Sequence, residues 1–206
     1  MAKSASSKRW LRRHVTDRHV REASAQGYRS RAAGKLLEID ARDRLFRPGA
    51  RVVDLGAAPG GWSQVAARKV GPQGRVVALD LLPIAPIRGV TVLRGDVTEP
   101  TQRDAVRTAL DGPADVVLCD LSPNLSGIAS ADQARAAALV ERAAAFAREV
   151  LQPEGVFLCK VFHGEAFAGL LGMLKRGFGS VQVRKPAASR SESRETYLLA
   201  RAPHKA

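Results

Sequence analysis

The residues Val52-Val53-Asp54-Leu55-Gly56-Ala57-Ala58-Pro59-Gly60-Gly61-Trp62 read as a buried strand, a glycine-rich turn and the first turn of a helix. Val52, Val53 and Leu55 supply the apolar strand signal. Gly56, Gly60 and Gly61 let the backbone turn sharply and come close to a bound molecule. Pro59, with a preset φ and no donor to lose, suits a helix start. A helix over about 60–69 and a loop at Gly71-Pro72-Gln73-Gly74 lead to a second strand, 75–79, which ends in Asp80. Strand, glycine turn, helix and a second strand ending in an acid are the βαβ signature of a nucleoside-binding α/β fold. Asp80 stands about twenty residues past the glycines, where a carboxylate accepts hydrogen bonds from a ribose diol.

The same turn bears on which nucleoside. A dinucleotide fingerprint needs glycine where the pyrophosphate meets bare backbone. Here Gly56-x-Ala58-x-x-Gly61 puts alanine and a neighbouring proline there. That disfavours a nicotinamide dinucleotide, whereas a ligand without a pyrophosphate, such as S-adenosylmethionine, tolerates the change. A third strand, 90–93, is followed by Asp96, placed to accept from an adenine amino group. A fourth, 114–118, runs into Cys119-Asp120-Leu121-Ser122-Pro123-Asn124. Gly56, Asp80, Asp96 and Asp120 thus fall at the carboxyl edge of one sheet, where open α/β folds bind ligands.

Upstream, a helical pattern runs from Ser30 through Leu36, Leu37 and Ile39 to the stop Arg47-Pro48-Gly49, and contains Gly34 and Lys35. Downstream, helices are expected over 101–110, 132–151 and 165–174, with a loop at 126–130 and strands over 156–161, 178–183 and 194–200. Gln152-Pro153-Glu154-Gly155 reads as the stop of the long alanine-rich helix. The strand Val156-Phe157-Leu158-Cys159-Lys160-Val161 is the most informative of these. A lysine in an otherwise apolar strand is costly unless it is paired or functional. Lys35 on a helix and Glu195 at a strand edge carry no such signal alone.

The chain has 206 residues, enough for one domain with a full core. Thirty-three Lys and Arg against twenty Asp and Glu give a net charge of +13, which points to a polyanionic partner, most simply nucleic acid. Residues 1–30 form a basic, apolar-poor arm suited to lying on phosphates, its first dozen residues disordered alone, with a short helix near 17–26 ended at Gly27. One domain over 31–202 and a tail at 203–206 complete the expected organisation. Cys119 and Cys159 sit in apolar runs and read as buried free thiols. The histidines show no ligand spacing, so no metal is expected. No apolar run reaches membrane-spanning length, and a cytoplasmic protein without a membrane partner is expected.

Lys35, Asp120, Lys160 and Glu195, in this order and these contexts, resemble the K-D-K-E tetrad of the FtsJ-type 2′-O-ribose RNA methyltransferases. The runs Tyr28-Arg29-Ser30-Arg31, Asp80-Leu81-Leu82-Pro83, Lys160-Val161-Phe162 and Val183-Arg184-Lys185-Pro186 are similar to those of its bacterial branch that acts on the large ribosomal subunit. The resemblance implies a Rossmann-like class I methyltransferase fold: a seven-stranded, mostly parallel sheet with helices on both faces and an antiparallel last strand. It implies 2′-O-methylation of a uridine in the A-loop of 23S rRNA, on the assembled subunit, using S-adenosylmethionine; a monomer is expected because the partner is large and the sequence shows no extra apolar face. Carried over residue by residue, it places the cofactor on Gly60, Trp62, Asp80, Asp96 and Asp120, beside the Gly56 that the turn itself suggests. One departure stands out: the family has an aromatic residue just before the first lysine, and here Ala33-Gly34 precede Lys35.

A ribose hydroxyl is a poor nucleophile and must lose its proton during attack, so such a site needs alignment and a proton acceptor or a stabilising charge. Lys160 can be the base, or the cation that steers the oxygen and stabilises its developing charge. Asp120 is expected to hold Lys160 and the methionyl end of the cofactor, and Lys35 and Glu195 to position the nucleotide. The rival classes are a catalytically silent RNA-binding or ribosome-assembly protein, a nicotinamide-dependent oxidoreductase, and the same chemistry on tRNA or an mRNA cap.

Overall fold

The computed structural model describes residues 18–123, 126–189 and 193–204. Residues 1–17 of the basic arm, residues 124–125 and 190–192, and the last two residues of the tail lie outside the described residues. Seven strands form one sheet: β1 Arg51–Leu55, β2 Arg75–Asp80, β3 Val90–Arg94, β4 Ala114–Cys119, β5 Leu151–Phe162, β6 Phe178–Arg184 and β7 Glu195–Pro203. Their order across the sheet is β3-β2-β1-β4-β5-β7-β6. The first five pair in parallel, and β7 runs antiparallel to both β5 and β6. This is the expected mostly parallel sheet with an antiparallel last strand. The helices are α1 Arg18–Ala25, α2 Ala32–Asp43, α3 Gly61–Val70, α4 Pro100–Leu110, α5 Ala129–Val150 and α6 Glu165–Gly177.

Side chains alternate across a strand, so each central strand feeds two cores. Val52, Val116, Leu158 and Leu199 face α2 and α3, where Leu36, Ile39, Trp62 and Val65 cover them. Val53, Val117, Phe157 and Leu198 face α4, α5 and α6, where Val106, Phe146 and Leu174 cover them. Each fully buried leucine contributes about 2 kcal/mol of hydrophobic stabilisation. From β1 the chain moves outward to β2 and β3, then returns to place β4 on the other flank of β1. That reversal opens a crevice above the carboxyl ends of β1 and β4.

Three local expectations change. Pro59 does not start α3: the Ala58–Pro59 peptide is cis, Gly60 follows with φ +106°, and the helix begins at Gly61. A proline followed by a left-handed residue cannot be the first helical position. Residues 152–155 do not stop a helix that runs to 151. The helix ends at Val150, and Leu151 already pairs with Ala114 before the ladder resumes at Val156 opposite Val116. The Pro153–Gly155 stretch lies inside an irregular strand entry. The long helix begins at Ala129, inside the expected 126–130 loop, with Asp132 accepting from the Ser126 and Gly127 amides just before it.

Candidate active site

The crevice over β1 and β4 holds a cavity of about 710 Å³. Gly56, Asp80, Asp96 and Asp120, four of the residues expected to hold the cofactor, line it together with Ala58, Leu81 and Leu82. The glycine turn is folded back on the sheet: Gly56 N–H donates to Leu79 O at 2.9 Å, and Gly56 takes φ +73°. A Cβ at Gly56 would lie 2.9 Å from the backbone of Leu121, so only glycine lets the β1 and β4 loops approach. Asp80, at the end of β2, accepts from Ala58 N–H and from Leu82 N–H, each at 2.8 Å, one on each carboxylate oxygen. Each oxygen keeps a second lone pair for a hydroxyl donor. Asp96 Oδ1 accepts from Thr98 N–H at 2.8 Å, which fixes the carboxyl at the far wall.

Two of the expected cofactor residues stand elsewhere. Trp62 is buried in the core beneath the turn, its indole N–H donating to Ala32 O at 2.8 Å and its ring 5.8 Å from that of Tyr197. Its side chain is not among those lining the cavity. Gly60 is packed against the loop after β2, where a Cβ would fall 2.5 Å from Ile87 Cδ1.

At the acceptor end, four elements converge. Lys160 leaves the carboxyl half of β5, and Tyr197 of β7 sits opposite it in register. The Lys160 ammonium lies 2.9 Å from Asp120 Oδ1 and donates to the Asp120 main-chain carbonyl at 3.0 Å. The carboxylate contact is close but poorly aligned, so it is an ion pair rather than a hydrogen bond. Lys35 reaches from α2 to form an ion pair with Glu195 Oε1 at the start of β7. Lys35 and Lys160 are both buried. All four tetrad residues come together, although Lys35 and Glu195 are 160 positions apart.

The profile of the FtsJ-like methyltransferases matches residues 28–202. The chain belongs to the FtsJ-like methyltransferase family. It is 53% identical over 202 residues to ribosomal RNA large subunit methyltransferase E of Marinobacter nauticus, covering 98% of each chain. It is 57% identical over 196 residues to the protein of the same name from Alkalilimnicola ehrlichii, covering 95% of this chain and 94% of that one. A crystal structure of a ribosomal RNA methyltransferase from Plasmodium falciparum superposes with a TM-score of 0.77 at 24% identity, over 87% of this chain and all (100%) of that one. Fibrillarin of Aeropyrum pernix, solved with natively bound S-adenosylmethionine, shares the fold with a TM-score of 0.57 at 20% identity, over 84% of this chain and 75% of that one.

The electrostatics of this FtsJ-like methyltransferase follow from burial and pairing. Burial pushes the Asp120 carboxyl up, and the Lys160 charge opposes it without overcoming it. Burial also pushes Glu195 up, but the Lys35 hydrogen bond and charge, the Tyr197 hydroxyl and Lys160 hold it below the usual carboxylate value. Two residues emerge that the sequence reading passed over. Tyr197 donates its hydroxyl to Glu195 Oε1 at 2.7 Å, so that oxygen is held from two sides; its aromatic in an apolar strand reads only as core. Asp54, fully buried in β1, accepts from Ser63 Oγ–H at 2.6 Å on Oδ2, while Oδ1 has no partner. Burial pushes its carboxyl up to about 7, with Ser63 opposing and Asp120 and Asp80 reinforcing. An acid inside Val-Val-Asp-Leu is the same kind of signal as Lys160. Cys119 and Cys159 are buried and free, and burial pushes the Cys119 thiol up to about 12. Among the described residues, no cluster suits a metal ion and no helix is long and apolar enough to cross a membrane.

Proposed function

We propose that this chain methylates a ribose 2′ oxygen in the RNA of the large ribosomal subunit, at a uridine of the 23S A-loop, using S-adenosylmethionine. The observation that carries the reading is Lys160: a buried lysine of an apolar strand, in contact with an aspartate that also lines the cavity. It joins the cofactor cavity to the Lys35–Glu195 pair. The family and the large-subunit relatives supply the reaction class and the RNA.

The residues present fit the cofactor. Asp80 has lone pairs left for a ribose diol, Asp96 stands where a base amino group would donate, and the bare turn at Gly56 leaves the backbone open between them. Bound there, S-adenosylmethionine would supply an electrophilic methyl carbon, the S–CH3 bond breaking as the sulfonium becomes a neutral thioether leaving group. Asp120 sets the end of the cavity toward Lys160. The acceptor oxygen gains the methyl group and sheds its hydroxyl proton. Lys160 meets that oxygen, either as a neutral amine that takes the proton or as an ammonium that aims the lone pair and leaves the proton to water. Lys35 and Glu195, locked together and braced by Tyr197, position the nucleotide. The excess positive charge of the chain favours a polyanion such as RNA.

Labelled-methyl transfer to undermethylated large subunits, followed by mapping of the product nucleotide, tests the reading. A 2′-O-methyl uridine in the A-loop is expected. Binding without transfer would favour a silent assembly protein, and methylation of tRNA or a cap instead would move the substrate.

A further inference from the structure

The run Tyr28-Arg29-Ser30-Arg31 takes no part in the chemistry above, yet it lies against the cofactor turn. Two loops wall that side of the cavity: the turn at 56–60 and the segment 81–89 after β2. Pro83 and Pro86 remove donors from the second loop and keep it out of regular structure. Its carbonyls still need partners. Arg29 Nη1 donates to Ala85 O at 2.6 Å, and Nη2 donates to Pro86 O at 2.7 Å. Nη1 also reaches Pro59 O, in the glycine turn, at 3.3 Å. One guanidinium therefore spans both loops.

Arg29 is itself anchored. Its main-chain N–H donates to Gln64 Oε1 at 2.8 Å on α3, and Gln64 Nε2 donates to Gly27 O at 3.0 Å. Beneath the guanidinium, Ile84 and Ile87 pack on Gly60, and a Cβ there would also lie 3.3 Å from Arg29 Nη1. On the cavity side, Asp80 joins the same two loops through Ala58 N–H and Leu82 N–H. The loops are thus clasped twice, from within by an acid that the cofactor needs and from without by an arginine that it does not touch.

We propose that Arg29 is a positioning residue for the methyl donor: its fork holds the 81–89 loop on the glycine turn, so that Asp80, Leu81 and Leu82 are set before the donor arrives. The inference rests on the donor occupying this cavity. A planar guanidinium holds its donors in a fixed, spread fork that reaches three carbonyls, whereas the three donors of an ammonium radiate from one nitrogen on a flexible stem. Without the fork, ordering the loop falls to the binding step and weakens it.

The test compares wild-type protein with Arg29→Lys and Arg29→Gln by S-adenosylmethionine calorimetry, RNA kinetics and hydrogen exchange. Both variants should bind the donor about tenfold more weakly, with turnover at saturating donor and KM for the large subunit changed less than about twofold. Exchange should quicken at 81–89 and stay unchanged in the central strands. Wild-type donor affinity in Arg29→Lys would overturn the inference. So would unchanged donor affinity with a raised KM for RNA and a shallower salt dependence, which would make Arg29 a phosphate contact. Exchange that quickens uniformly would reduce Arg29 to general stability and overturn it too. If wild-type protein binds the donor and the variants bind it equally, only this inference fails; if wild-type protein does not bind it, the functional reading fails as well.

Discussion

The two ends of the crevice are built by different physics. The donor end, over β1, β2 and β3, is made of backbone: a glycine turn with positive φ and an acid whose oxygens accept main-chain N–H groups. The acceptor end, over β4, β5 and β7, is made of paired charges on buried side chains: Lys160 with Asp120, and Lys35 with Glu195. Backbone shape gives a ligand somewhere to fit. Buried charges give a reacting atom a fixed field without reorganisation at the moment of reaction. Substitutions at the acceptor end should therefore change turnover and leave donor affinity alone, and those at the donor end should do the reverse.

The strongest attempt to break this division is Lys160→Ala. Turnover should fall by about a thousandfold or more, the range expected for loss of a positioned acid, base or charge. S-adenosylmethionine affinity in calorimetry should stay within about threefold, because Lys160 touches Asp120 rather than the turn. A large loss of affinity would mean that the two ends are one site. Lys160→Arg then sharpens the acceptor end: it keeps the charge and cannot serve as a base, so near-normal turnover would assign Lys160 the cationic role.

Asp54 lies under the boundary between the ends and tests how far buried charge extends. Burial holds its folded-state value at about 7, above the ordinary aspartate value of 3.8. Between those values the folded chain holds a proton that the unfolded chain has released. Stability complete below pH 4 is therefore lost as pH rises through 7, by on the order of 4 kcal/mol at most. Asp54→Asn removes this loss, so denaturant midpoints of variant and wild type should diverge in the variant's favour between pH 4.5 and pH 8. A constant gap would show that Asp54 ionises normally. Tyr197→Phe is a smaller probe. Removing the hydroxyl frees one side of Glu195 and should lower turnover by roughly tenfold while costing about 1 kcal/mol of stability, read from kinetics and melting together.

What the sequence made legible follows the same division. The donor end is local, so glycines, β-branched runs and strand-ending acids within about 45 residues spelled out its fold and the acids Asp80 and Asp96 that line it. Lys160 was legible because lysine violates its own strand. Lys35 and Glu195 were not: a helical lysine and an edge acid look solvated until tertiary contact buries them, and only the family resemblance singled them out. Trp62 was expected beside the cofactor, and its side chain instead packs between α2 and β7, since a tryptophan at the first turn of a helix is as free to face the sheet as the ligand. Arg29 escaped because its partners are carbonyls, which leave no mark on residue type.

The mildest prediction concerns Gly34, the residue just before the first lysine of the tetrad. The residue sits inside α2, between buried Ala33 and Lys35. A Cβ added there would meet only Ala188 Cβ, at 3.9 Å, an ordinary contact. Its φ is not in the left-handed region, so alanine fits without strain. Gly34→Ala should therefore stabilise the protein by about 0.5–1 kcal/mol, through helix propensity and a less flexible unfolded chain. Because α2 carries Lys35 and Glu38 accepts from Ala187 and Ala188, the same change stiffens the support of the acceptor end. If buried charge alone sets that end, turnover should be unchanged while the melting temperature rises. A fall in turnover with the gain in stability would show instead that the acceptor end needs play between α2 and the loop before β7.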